Sequence, residues 1–184
     1  FFSFSWVASA GSDSGCFPDY PTLGLDDDGY YVGAFMAGCG FTLFTIDKAP
    51  LVAPVQSAGT VTAFRSIAFS TIQPAHTFGS APGEYVVSRQ SSTINRAFLV
   101  TGSLASPTLN GPFFVSNPGA NSPPDMPQQG GTAFDTLDGR YLNCVHRDGL
   151  TYYTNCTTFA GRSSVTWFVA DIASGTLVDS GVVN

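Results

Sequence analysis

The sequence predicts an all-β protein, an incomplete β-propeller of about three antiparallel blades with three to four short strands each. Three observations carry that expectation. The chain has 184 residues, 43% of them hydrophobic and 14% aromatic, led by 16 Phe, so there is ample apolar surface to bury. Only 11% are charged, and Glu84 and Lys48 are the sole Glu and Lys. Exposed helix faces are usually filled with those two residues, and here Ser, Thr, Gly and Pro stand in their place. Finally, a phrase recurs: Gly29-Tyr30-Tyr31-Val32, Gly83-Glu84-Tyr85-Val86 and Gly139-Arg140-Tyr141-Leu142, its glycines 54 and 56 residues apart.

The elements follow in order. Phe1 to Trp6 alternates like a strand and has neither the basic start nor the long apolar run of a signal peptide. The first unit, about 17–58, holds the apolar piece Thr22-Leu23-Gly24-Leu25 and the turn Asp26-Asp27-Asp28-Gly29. A strand over Tyr30–Met36 and another over Phe41–Ile46 complete it. The second unit, about 62–112, repeats the pattern with the turn Pro82-Gly83, a strand from Tyr85 and a strand over Arg96–Val100. Each glycine follows a turn-forming residue and each tyrosine opens an apolar run, so a tight turn feeds a strand. Ser116–Pro127 is Pro-rich and belongs on the surface. The third unit, about 128–182, has a short piece at Thr132-Ala133-Phe134, the turn Asp138-Gly139 and an extra hairpin at Asp148-Gly149. A strand over Val165–Val169 and a last one at Gly181–Asn184 follow.

A period near 55 is too long for a β-helix rung and suits a blade of about four strands. A lone blade has two apolar faces and hides neither, so blades stack face to face about an axis. Propellers need about four to eight blades; three leave the ring to be completed by further blades or by other copies. A single β-sandwich with an accidental repeat is the competing architecture.

The four cysteines contain no C-x-x-C pair, and two histidines, His76 and His146, are too few for a zinc site of ordinary make-up. Cys144 and Cys156 flank a hairpin turn, and Cys16 and Cys39 bracket the first unit, which favours those two local bridges over the other connectivities; four free thiols are the alternative. Two bridges imply an oxidising compartment and hence a secreted or extracellular protein. A net charge of −6 argues against nucleic acid or an anionic lipid surface as partner. No run of about 18 apolar residues offers a membrane span.

Asp19-Tyr20-Pro21-Thr22-Leu23-Gly24-Leu25-Asp26, Leu137–Leu150 and Trp167-Phe168 followed by Gly175 and Gly181 resemble blades of secreted bacterial proteins with a sialidase-like propeller fold. The resemblance implies a propeller and leaves the activity open. Sialidases hold a substrate carboxylate with an arginine cluster, and Arg65, Arg89, Arg96, Arg140, Arg147 and Arg162 are available. The Asp-box phrase of that family is missing, with only its ending kept in Arg162–Trp167. Arg89 stands four residues after Tyr85 and Arg147 six after Tyr141, so they are not equivalent positions. Glu84 falls at a turn position, an unpromising place for a catalytic carboxylate.

Asp26 and Asp28 invite a calcium reading, but the other units carry Ser80-Ala81-Pro82-Gly83 and Thr136-Leu137-Asp138-Gly139 there, so the shared requirement is a turn. No other cofactor is called for. No G-x-S-x-G elbow accompanies the histidines. Tyr20, Arg89, His146 and Arg147 are the nominated ligand-binding residues, and Tyr20, Tyr152, Tyr153 and Trp6 are candidates for stacking on sugar rings. The expected function is an extracellular, non-catalytic binding or scaffolding module for a glycan or protein at a cell surface. The alternative is a fragment of a sialidase-like glycoside hydrolase.

Overall fold

Glycine, proline and aspartate turns cut the chain into short strands that pair with their sequence neighbours. In the computed structural model, which describes residues 3–184, β1 (Phe17–Leu25), β2 (Gly29–Ala37), β3 (Gly40–Asp47) and β4 (Val61–Ala68) form a first antiparallel meander. The chain then makes β5 (Ile72–Pro74) and, one residue later, β6 (His76–Phe78). A second meander joins β5 to β7 (Glu84–Arg89), β8 (Ile94–Thr101) and β9 (Thr108–Ser116). The third comprises β10 (Tyr141–Arg147), β11 (Leu150–Phe159), β12 (Arg162–Asp171) and β13 (Thr176–Val183). Among the described residues the only helical pieces are Ala49–Val52 and a 3-10 turn at Gly11–Asp13, and none is long and apolar enough to cross a membrane.

The protein is thus all-β, with one mixed and one antiparallel sheet, neither closed. β6 runs parallel to both β1 (Leu25 opposite His76) and β10 (Val145 opposite His76), and so splices the first and third meanders into one nine-stranded sheet. The second meander is a separate four-stranded sheet. Its residues alternate between two cores. Val86, Phe98 and Val100 pack with Tyr31, Leu43 and Ile72 on the first meander's side. Tyr85, Val87, Ala97 and Val115 pack with Tyr141, Tyr153 and Phe168 on the third's. Burial on both faces explains why β7 is buried at five of its six positions. Gly24 and Gly33 allow this approach, because a Cβ on either would sit 2.4 or 2.5 Å from the carbonyl oxygen of Ala75 or Ile72.

Cys16 and Cys39 are bonded, with Cα atoms 6.2 Å apart, tying the segment before β1 to the β2–β3 turn. The expected second bridge is absent: Cys144 and Cys156 are free thiols. The hairpin between them forms, with Asp148 and Gly149 both at positive φ, but its register defeats the bond. Cys144 lies opposite Tyr153, three residues short of Cys156. An odd offset on a pleated strand sends the two sulfurs to opposite faces.

Other expectations also shift. Phe1 and Phe2 lie outside the described residues, and Ser3–Trp6 is irregular rather than a strand. Thr132–Phe134 forms no strand; Phe134 makes a single bridge to Met126 within an exposed connector between β9 and β10. Tyr31 and Tyr85 lie on the second strands of their meanders, whereas Tyr141 opens the first strand of the third, so the recurring phrase occupies two different places.

Candidate functional site

At one end of the interface between the first two meanders, the turn joining β1 to β2 faces the loop between β6 and β7. Together with the β8 end they wall a pocket of about 500 Å³, lined by Asp26, Asp27, Asp28, Tyr31, Thr77 and the backbone around 79–83 and 100–102. The turn explains the acidity. Asp26 Oδ1 accepts the backbone N–H groups of Asp28 (2.9 Å) and Gly29 (2.8 Å), and its Oδ2 accepts the Tyr31 hydroxyl at 2.9 Å. This is an Asp-stabilised turn of the ordinary kind, and it leaves Asp26 no oxygen free of an internal bond. Burial and the adjacent carboxylate hold the Tyr31 phenol far above its usual range. The carboxylates of Asp27 and Asp28 make no hydrogen bond or ion pair among the described residues and stand exposed at the rim. They also edge a neighbouring pocket whose walls include Asp47, Lys48 and Gly102.

The calcium candidates Asp26 and Asp28 share this turn but differ in their engagement. Asp26 is spent on the turn, and among the described residues no group of three or more His, Cys, Asp or Glu side chains is arranged to hold a metal ion.

The residue that sequence reasoning missed is Glu84. It is the first residue of β7 rather than a solvated turn position, and it is completely buried. Its Oε2 accepts the Thr77 hydroxyl at 2.8 Å, while Oε1 is buried without a partner. Burial pushes its carboxyl up to about 9, with the charge of Asp26 adding to the shift and the Thr77 bond opposing it. Glu84 is therefore neutral at physiological pH, sitting one side chain behind the pocket wall that Thr77 forms. The signal for it was present: the only glutamate directly precedes the apolar run Tyr85-Val86-Val87.

The nominated ligand residues divide into two places. Tyr20, at φ 47° in the β1 bulge, lies under the Arg140 guanidinium, 4.3 Å from its ring centroid. Arg140 in turn grips Asp138 with two bonds of 2.8 and 2.7 Å, which hold that carboxyl below its usual range. Arg89 passes so close to Gly139 that a Cβ there would meet its Nη1 at 2.5 Å, and it donates to the carbonyls of Ala120 (2.7 Å) and Ser91 (3.3 Å). Tyr20 and Arg89 thus converge on residues 138–140. His146 and Arg147 sit at the far end of β10. His146 is buried, its ring centroid 4.4 Å from that of Tyr85 and its Nδ1 3.0 Å from the Thr151 hydroxyl; burial lowers its pKa. Arg147 is exposed and pairs only with its neighbour Asp148, at 3.3 Å. Of the stacking candidates, Tyr153 is buried in the core, while Tyr152 and Trp6 are about 40% exposed.

No arginine cluster of the sialidase kind lines the acidic pocket. Arg65 is paired with the buried Asp13, and Arg89 and Arg140 are engaged as described. Comparison of the chain with protein-family models, with curated proteins and with solved structures returned no match.

Proposed function

We propose that this chain is a non-catalytic binding module of an extracellular protein, its three meanders stacked as blades of a β-propeller, and that the acidic pocket takes a neutral polyhydroxylated ligand such as a glycan. One observation carries the reading. Asp27 and Asp28 present carboxylates without internal partners at the mouth of a polar pocket, whereas the groups behind them are tied down. Ionised carboxylates accept hydrogen bonds from vicinal hydroxyls, and the lining contains no cation to attract a phosphate or an acidic sugar. The disulfide and the lack of a membrane-spanning helix are compatible with an extracellular setting.

Blade stacking is supported by the second sheet's two buried faces and by the meeting of β1, β5, β6 and β10 in the middle of the molecule. The outer face of the third meander carries exposed Tyr152 and Val165, an apolar surface of the sort a further blade or another copy covers.

The hydrolase alternative requires a carboxylic acid in contact with substrate. Glu84 has a fitting protonation state but does not line the pocket. A glycan array probed with the protein and with an Asp27→Asn/Asp28→Asn variant tests the reading. Binding to neutral glycans, weakened at least tenfold in the variant, is the expected result. Equal binding by the variant, or release of reducing sugar from any glycoside, overturns it.

A further inference from the structure

Toward the opposite end of β8 from the pocket, Arg96 is directly opposite Phe114 on β9, and Phe69 follows β4 just across the interface. The guanidinium carbon is 4.8 Å from the Phe69 ring centroid and 5.8 Å from that of Phe114. Both rings are open to water, Phe69 at 78% and Phe114 at 51% exposure. Arg96 donates from Nη1 to the Ile67 carbonyl at 3.1 Å, its Nε is buried with no partner, and its Nη2 has no hydrogen bond. No acidic side chain pairs with it among the described residues, although acids outnumber Lys and Arg by 13 to 7 in the sequence.

A partly desolvated cation with spare donors is costly, and two rings at these distances offset only about 0.5–1 kcal/mol each. Large exposed phenyl rings add unfavourable apolar surface beside it. Exposed aromatics grouped with an arginine are the composition of interface hot spots, which lose both costs when a partner covers them. The charge of the patch determines the partner's: the group that pairs with the Nη2 end of Arg96 is a carboxylate, and the groups that cover the rings are apolar.

We propose that Phe69, Arg96 and Phe114 form a docking patch for an acidic protein segment, in which an apolar side chain lies on the two rings and an adjacent carboxylate pairs with Arg96. This surface is separate from the acidic pocket, so it stands whether or not the glycan reading holds.

The probe is the acetylated, amidated peptide Asp-Leu-Glu-Leu, titrated into the whole chain while amide and ring resonances are followed by NMR, with Asn-Leu-Gln-Leu as its uncharged counterpart. The expected result is saturable shifts centred on Phe69, Arg96 and Phe114, with the uncharged peptide binding at least tenfold more weakly. Arg96→Gln and Phe69→Ala should each weaken binding at least fivefold. Phe69→Ala removes an exposed ring and lowers the melting temperature by only a few degrees, so it remains informative if Arg96→Gln unfolds the chain. Equal affinity for the two peptides, no saturation into the millimolar range, or full binding by Phe69→Ala overturns the proposal. So does a dimer in sedimentation that Phe69→Ala abolishes, because the occupant is then a second copy of this chain.

Discussion

The second meander has a neighbour on each side, and its two faces are finished differently. Toward the third meander, buried polar atoms are joined into a network. Asn95 donates from Nδ2 to the Tyr153 hydroxyl at 2.7 Å, while its Oδ1 accepts both the Tyr141 hydroxyl and Nδ2 of Asn117, the latter at 2.7 Å. Around it Tyr141, Tyr153 and Phe168 pack with centroids 5.0 to 6.2 Å apart, two of the pairs edge to face. Toward the first meander the core is mostly aliphatic, and its one acid, Glu84, has a single side-chain partner. A satisfied network tolerates polarity in a dry interface, whereas a stranded carboxyl must shed its charge. The pocket opens on the side where the polar groups are not interlocked.

If that contrast is right, the pH dependence above pH 7 arises at the first interface. The folded-state pKa of Glu84, about 9, lies above the ordinary value of 4.5. Its contribution to stability is therefore complete below pH 4.5 and is lost as pH rises toward 9. His146, whose pKa is lowered, acts in the opposite sense and only below about pH 6.5. Wild type should thus lose about 1 kcal/mol per pH unit between pH 7 and 9 relative to Glu84→Gln, measured by urea denaturation. Parallel pH profiles for the two proteins would erase the contrast.

On the other side, Asn95→Ala leaves two buried phenols short of a partner and should cost about 3 kcal/mol with little pH dependence, read from the same denaturation curves. A loss below about 0.5 kcal/mol would mean the network is incidental. A smaller change is expected from Thr77→Val, which removes the donor to Glu84. It should cost about 1 kcal/mol and move the Glu84 midpoint further up, because that bond favours the ionised form. The smallest effect is chemical. Alkylation of the native protein followed by mass spectrometry should label Cys156, protect the fully buried Cys144 until unfolding, and leave Cys16 and Cys39 bonded.

What could be read in advance follows from range. Composition and turn chemistry are local, so the all-β class, the Asp26–Gly29 turn and the Asp148-Gly149 hairpin were legible. The Cys16–Cys39 bridge was legible too, because it closes a single hairpin, β1–β2. The Cys144–Cys156 pairing failed on register: the two-residue turn sets Arg147 opposite Leu150 and therefore Cys144 opposite Tyr153, so flanking a turn did not make the two cysteines partners. The phrase Gly-x-Tyr recorded a turn feeding a buried tyrosine and carried no information about strand order, which is why Tyr141 opens a meander instead of following its first strand. Glu84 was misread because its neighbours in space, Thr77 and Asp26, come from other loops, and a turn-like sequence position says nothing about the sheet packed over it. Tyr20 and Arg89 are distant in sequence and meet at residues 138–140 only through folding.

Glu84 is the only glutamate, so protein labelled with ¹³C at the glutamate side-chain carboxyl gives a single carboxyl resonance to titrate. A midpoint near 9 is the result that a sealed, neutral carboxyl behind a binding pocket predicts. A midpoint near 4.5 would show that the carboxylate reaches water, which would contradict both the dry interface and the assignment of this acid to structure rather than to catalysis.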